Sequence, residues 1–231
     1  MKENPLAFIL ENTILKQPSL VPELELYLAD EAIPLWQMTA DELDQAEIPI
    51  PFWAFAWAGG QAVSRYIFDT PDLVQGKRIL DIGSGSGLVA LSALKAGATS
   101  VVANDIDPLA ILAIGANAKA NALPDRLSFE SQDILDAPAP LSSSSAGYDM
   151  IFAGDICYEE PMSSRMVDCL KRYAEAGSTV ILGDPGRTYL PRELLKELAV
   201  YNVPTPLELE DSDLRRTTVW ALPPTPPPPS P

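Results

Sequence analysis

The chain has 231 residues, 47% of them hydrophobic and 21% charged, enough for a sizeable core in one large domain or one domain with an extension. Its formal net charge of −16 repels phosphate backbones, so nucleic-acid binding would need a local basic patch, and the sequence offers only the scattered pairs Lys77-Arg78, Lys171-Arg172 and Arg215-Arg216. With no histidine and only two cysteines, it excludes Ser-His and Cys-His catalysis and any imidazole base, and it has too few soft ligands for a structural zinc.

The N-terminal MKENPLAFILENT has a short apolar stretch between acidic flanks and no small-residue cleavage site, so it does not read as a signal peptide. No apolar run approaches the ~18 residues of a membrane span. Cys157 and Cys169 do not form a disulfide framework, and a reducing cytoplasm is the expected compartment. The acidic balance suits solubility, a basic partner or a lysine side chain as substrate.

Pro5 to Asn12 is predicted as a short helix, and residues 23–28, ELELYL, alternate as a half-buried strand. Residues 37–51 read as a loop or weak helix, and residues 52–68 as helical in their second half, behind the aromatics Phe52, Trp53, Phe55 and Trp57. From residue 77 strands and helices alternate: strand Arg78–Ile82, helix Leu88–Ala96 stopped by Gly97, strand Ser100–Asn104 and helix Pro108–Asn121. Strand Arg126–Glu130, a Pro- and Ser-rich loop, strand Tyr148–Ala153, helix Met162–Ala174, strand Ser178–Gly183 and helix Arg192–Val200 follow. Leu207–Glu210 and Thr217–Leu222 read as a terminal antiparallel hairpin, and the tail PPTPPPPSP as polyproline II or disordered. This alternation predicts an α/β fold with a largely parallel sheet, whose ligands bind beyond the carboxyl ends of the strands.

Asp81-Ile82-Gly83-Ser84-Gly85-Ser86-Gly87 occupies a strand-to-helix junction. Its G-x-G-x-G spacing differs from the pyrophosphate-binding G-x-G-x-x-G, but the glycines allow positive φ and close approach of a ligand. Asp105 ends the next strand, where an acid can accept from ribose hydroxyls. Asp107 precedes Pro108, so a helix cap and a ligand role both stand. Asp133 follows the third strand as a turn residue or as a partner for an adenine amine.

The Gly-rich loop, the ribose acid and the third-strand acid, in this order, resemble the class I, seven-strand S-adenosylmethionine-dependent methyltransferases over roughly residues 76–222. That family has a Rossmann-like, mostly parallel seven-stranded sheet with an antiparallel last strand and helices on both faces. The resemblance implies S-adenosylmethionine as cofactor, its methionine end shaped by Asp81, Gly83, Gly85 and Gly87, with Asp105 on the ribose and Asp133 near the adenine. At the next strand tip, GDICYEE, Asp155-x-x-Tyr158 resembles the D-x-x-Y motif of seven-strand protein lysine methyltransferases. ENTIL…VPELELYLADEA (11–32), PFWAFAWAGGQAVSRYI (51–67) and GDICYE (154–159) carry a narrower resemblance, to the electron transfer flavoprotein β-subunit lysine methyltransferases and their bacterial relatives.

What this implies is a protein-lysine N-methyltransferase acting on the electron transfer flavoprotein β-subunit, with Asp155 and Tyr158 engaging the lysine and no metal. Asp155 also reads as a helix cap and Tyr158 as lid packing. Trp57 either packs beside the cofactor or covers the sheet, and Gly59-Gly60 suggests close approach to a ligand or another element. Arg187, in GDPGR at the end of the fifth strand, is placed at the site rim. Ribosomal-protein lysines, a small amine, an Arg or Asn acceptor, and a non-catalytic binding module are the competing readings. The expected organisation is an extension at 1–75, a cofactor-binding core at 76–222 and the tail at 223–231, in a monomer that binds neither nucleic acid nor membrane.

Overall fold

The computed structural model describes residues 4–30, 51–140, 142–145, 147–205 and 213–224. The expected loop at 37–51, the strand Leu207–Glu210 and the proline-rich tail lie wholly or almost wholly outside these residues.

Helix α1 (Pro5–Glu11) starts with the Asn4 side chain accepting from the Ala7 N–H, an N-cap that satisfies one of the free first-turn amides. Strand β1 (Ile14–Lys16) pairs antiparallel with β2 (Leu26–Leu28). The Glu-Leu alternation held, with Leu24, Leu26 and Leu28 buried, although only its last three residues pair. Helix α2 (Ala58–Asp69) precedes the alternating region.

That region runs β3 (Arg78–Ile82), α3 (Leu88–Lys95), β4 (Ser100–Asn104), α4 (Pro108–Ala120), β5 (Leu127–Glu130), β6 (Met150–Gly154), α5 (Met162–Glu175) and β7 (Thr179–Asp184). Two long strands, β8 (Lys196–Pro204) and β9 (Leu214–Leu222), close it. The seven-stranded sheet has the order β5-β4-β3-β6-β7-β9-β8. Strands β3 to β7 pair in parallel, and β9 inserts antiparallel between β7 and β8. This is the α/β architecture read from the alternation, with its reversed strand.

The period-two alternation of the strands divides the core. Ile79, Val101, Met150, Phe152 and Ile181 face one side, under α2, α3 and Ile114 of α4. Leu80, Ile82, Ile151, Val180 and Leu182 face the other, under Met166, Cys169, Leu170 and Tyr173 of α5. Helices on both faces explain why these strands are near-continuous apolar runs.

The expected helix Arg192–Val200 is wrong. A single tight turn, Arg192–Leu194, leads into β8. Leu, Lys, Glu and Ala favour helix locally, but Val200, Tyr201 and Val203 fit a pleated surface. Pairing with β9 from Lys196↔Ala221 to Pro204↔Leu214 overrides the local preference, with a register shift between Glu197 and Ala199. Val203 is fully buried by that pairing, and the Tyr201 hydroxyl donates to Asp69 at 2.9 Å. The hairpin at the sheet edge is therefore β8–β9.

Candidate active site

The carboxyl ends of β3, β4, β6 and β7 converge, as parallel pairing requires. Between β3 and α3, Gly83, Gly85 and Gly87 have φ of 65°, 54° and 81°. Among the described residues, a Cβ on Gly83 would meet only Ile156, at 3.7 Å, and one on Gly85 only the Trp53 backbone, at 3.9 Å. These two glycines open a groove. Gly87 differs, because a Cβ there would lie 2.9 Å from Ile114, so it lets the loop pack on α4.

Asp81 holds this loop and also lines the groove beside it. It is 1% exposed and accepts from the Ser84 hydroxyl at 2.6 Å and the Ala90 N–H at 3.1 Å. Burial pushes its carboxyl up to about 7, against the pull of those two donors. The Ser84 N–H donates to the Asn104 carbonyl at 2.9 Å, and the Gly85 N–H to Asp105 at 2.8 Å. Asp105 also accepts from the Asp107 N–H at 3.0 Å, and a carboxylate has lone pairs left for a diol. Burial raises its pKa too. Asp107 is the cap of α4, accepting from the Leu109 N–H at 2.8 Å. Asp133 stands apart: its carboxylate is exposed, accepts from the Leu135 N–H at 3.0 Å and pairs with Arg165 at 2.9 Å. That backbone bond and Arg165 hold its carboxyl below the usual range.

Trp53 is buried against Phe8, Ile9, Ala110 and Ala113, so the tryptophan that reaches the groove is Trp57. It lines the groove with Phe55, Gly60, Gly83, Gly85 and Leu88. Its indole N–H donates to the Phe52 carbonyl at 2.9 Å, and its ring meets Phe52 and Phe55 at 6.0 and 5.8 Å between centroids.

At the tip of β6, Asp155 has φ 56°, a left-handed conformation that Asp tolerates better than most residues. It is 7% exposed. One carboxylate oxygen accepts from the Gly59 and Gly60 N–H groups at 2.5 and 3.1 Å, and the other from Arg187 at 2.9 Å. Helix α2 has no cap of its own, because Trp57 stands at its N-cap, so Asp155 caps it from 96 residues away. Burial raises the Asp155 carboxyl to about 6, against the pull of Arg187. Gly154 and Gly183, whose part in this contact sequence reasoning missed, lie beneath it. Cβ atoms on Gly59 and Gly183 would meet the other's carbonyl oxygen, and one on Gly154 would lie 2.8 Å from the Gly60 nitrogen. Gly59-Gly60 itself signalled a close approach, and its partner is the strand tips of β6 and β7.

Tyr158 stands at the rim, 41% exposed, its ring 5.5 Å from Phe52. Burial raises its phenol, and pushes the intervening Cys157 thiol up to about 12, so neither supplies an anion near neutral pH. Beside Tyr158 a cleft of about 220 Å³ is lined by Pro185, Gly186, Arg187, Thr188 and Arg215. Asp184, 1% exposed, shapes its wall by accepting from the Gly186 and Arg187 N–H groups at 2.6 and 2.7 Å.

The groove and the cleft beside Tyr158 are joined through Asp155, which lines the groove and bonds Arg187 of the cleft, and known proteins share most of the chain that builds them. The rat electron transfer flavoprotein β-subunit lysine methyltransferase is 35% identical over 223 residues, covering 93% of this chain and 82% of its own. The chain belongs to the electron transfer flavoprotein β-subunit lysine methyltransferase family. The human member is 35% identical over 94% of this chain and 82% of its own. Residues 66–182 also match the model of the ribosomal protein L11 methyltransferase (PrmA) family. Among solved structures, the ribosomal protein L11 methylase of Lactobacillus delbrueckii subsp. bulgaricus shares the fold, with a TM-score of 0.51 at 18% identity over 73% of this chain and 81% of that one.

As a member of the lysine methyltransferase family, the chain is an S-adenosylmethionine-dependent protein-lysine N-methyltransferase. The donor set fits that cofactor: open glycines, an indole wall and carboxylates suit an amino acid, a diol and a sulfonium cation. No helix among the described residues is long and apolar enough to cross a membrane.

Proposed function

We propose that this enzyme methylates lysine side chains of the electron transfer flavoprotein β-subunit. The observation that carries this reading is the extent of the likeness. Relatives of that name match 93% of this chain, whereas the L11 methyltransferase of Actinobacillus succinogenes, at 56% identity, matches only 52 residues, 22% of it.

In this reading Gly83, Gly85, Asp105 and Trp57 hold S-adenosylmethionine, which supplies an electrophilic methyl group when bound. Asp81 and Gly87 set the loop, and Asp133 borders the adenine end. Asp155 and Tyr158 orient the lysine. One Asp155 oxygen has both lone pairs taken by the Gly59 and Gly60 N–H groups, and the other, which accepts from Arg187, retains one for an amine N–H. Tyr158 offers a ring face to the side chain. A free lysine is on the order of 0.1% neutral or less at pH 7, so the site must let the proton go. Water takes it, since no histidine is present. Alignment of two bound reactants supplies much of the rate. The two free, buried cysteines support a reducing, cytoplasmic setting.

The test is incubation with methyl-labelled S-adenosylmethionine and purified electron transfer flavoprotein, with label mapped by mass spectrometry. Methylated lysine on the β-subunit is expected. An unlabelled β-subunit with intact cofactor binding would overturn the substrate and direct the search to ribosomal proteins.

A further inference from the structure

A carboxylate alone would be a poor acceptor site. An anion beside a lysine stabilises the ammonium form, which has no lone pair to attack with. The structure places a second charge there. The Arg187 guanidinium bonds Asp155 at 2.9 Å, lies 5.9 Å from the Trp57 ring centroid and lines the cleft beside Tyr158. Its side chain is 21% exposed, and its backbone N–H is fixed by Asp184 at 2.7 Å. A fixed cation next to an amine favours the neutral, nucleophilic form. We propose that Arg187 makes the acceptor site select neutral lysine over its ammonium form. Asp155 then orients the amine through a hydrogen bond while Arg187 cancels its charge. This rests on the lysine-methylation reading above. The nitrogen lone pair forms the new N–CH₃ bond as the CH₃–S bond breaks towards sulfur, and the lysine proton has already left to water.

Arg187 faces Asp155, Cys157, Tyr158 and Asp184, with Arg192, Arg215, Glu159 and Glu160 around them. Of these, Asp155 and Asp184 are the groups whose titration needs separating from that of the substrate.

The experiment is the pH profile of kcat from pH 6.5 to 10 for wild type, Arg187→Gln and Arg187→Lys, on acceptor lysine and on thialysine, a less basic amine, at the same position. Arg187→Met serves if Arg187→Gln does not fold, and calorimetry of S-adenosylhomocysteine binding checks that the groove is intact. Loss of the cation should move the midpoint up by about one unit, making kcat roughly tenfold lower at pH 7 and equal at high pH. Arg187→Lys should restore the midpoint, and thialysine should lower it in every form. A uniform loss at all pH values, or a midpoint indifferent to thialysine, would overturn the role of Arg187. Absence of transfer to any lysine by wild type would instead overturn the reading beneath it.

Discussion

The two ends of the site are built differently. The cofactor end, at β3 and β4, uses neighbours: Asp81, Ser84 and Ala90 hold one loop, and Asp105 joins it 20 residues on. The acceptor end, at β6 and β7, uses distant parts: Asp155 reaches Gly59 across 96 residues and Arg187 across 32. A local motif can be replaced or repaired piecemeal. A junction of three backbones fails as a whole, so substitutions at the acceptor end should threaten fold and chemistry together.

The sharpest test of that contrast is Gly59→Ala. Its Cβ would meet the Gly183 carbonyl oxygen, so the variant should lose about 3 kcal/mol or more in urea denaturation; a loss below about 1 kcal/mol would break the comparison. Asp155→Ala removes the cap of α2 and strands Arg187. It should abolish methyl transfer and cost about 1–3 kcal/mol of stability, while calorimetry finds cofactor affinity within a few fold. Full activity would end the proposed role of Asp155. At the other end Asp105→Ala should weaken cofactor binding about 10- to 100-fold, the equivalent of about 1–3 kcal/mol, and leave the fold intact by circular dichroism.

A smaller effect depends on pH. Asp81 is raised to about 7 by burial, above its unfolded value, so the native state holds a proton that the unfolded chain has lost. Its contribution is fullest at low pH and declines as pH rises from about 4 to 7. Thermal denaturation should therefore show wild type losing ground to Asp81→Asn over that window and the gap levelling above it; a pH-independent gap would contradict the burial argument. Least of all, Gly60→Ala should change stability by no more than about 1 kcal/mol, in the stabilising direction, because its Cβ has 3.9 Å of clearance from Leu88 and Val89.

Legibility in the sequence followed the same division. The seven residues from Asp81 to Gly87 carry their own conformational demand, since positive φ at Gly83, Gly85 and Gly87 is written as glycine. The parallel register Ile82↔Asn104 then puts Asp105 beside the loop without further information. By contrast, Gly59-Gly60 signalled a close approach but not that Asp155 would be the group to meet it. The same blindness turned β8 into an expected helix, because Lys196 to Ala199 favour helix until β9 pairs with them.

By itself, then, the sequence determined the order of strands and helices from β3 to β7, the glycine loop, the carboxylates at the strand tips and the family resemblance. These depend on side-chain periodicity and backbone preference, both local. Only the tertiary structure decided that Asp155 would be buried against Gly59 and Arg187, that Trp57 rather than Trp53 would reach the groove, and that the last edge would be a hairpin of two long strands. Those outcomes turn on burial, charge pairing and strand partnership, which exist only after distant segments meet.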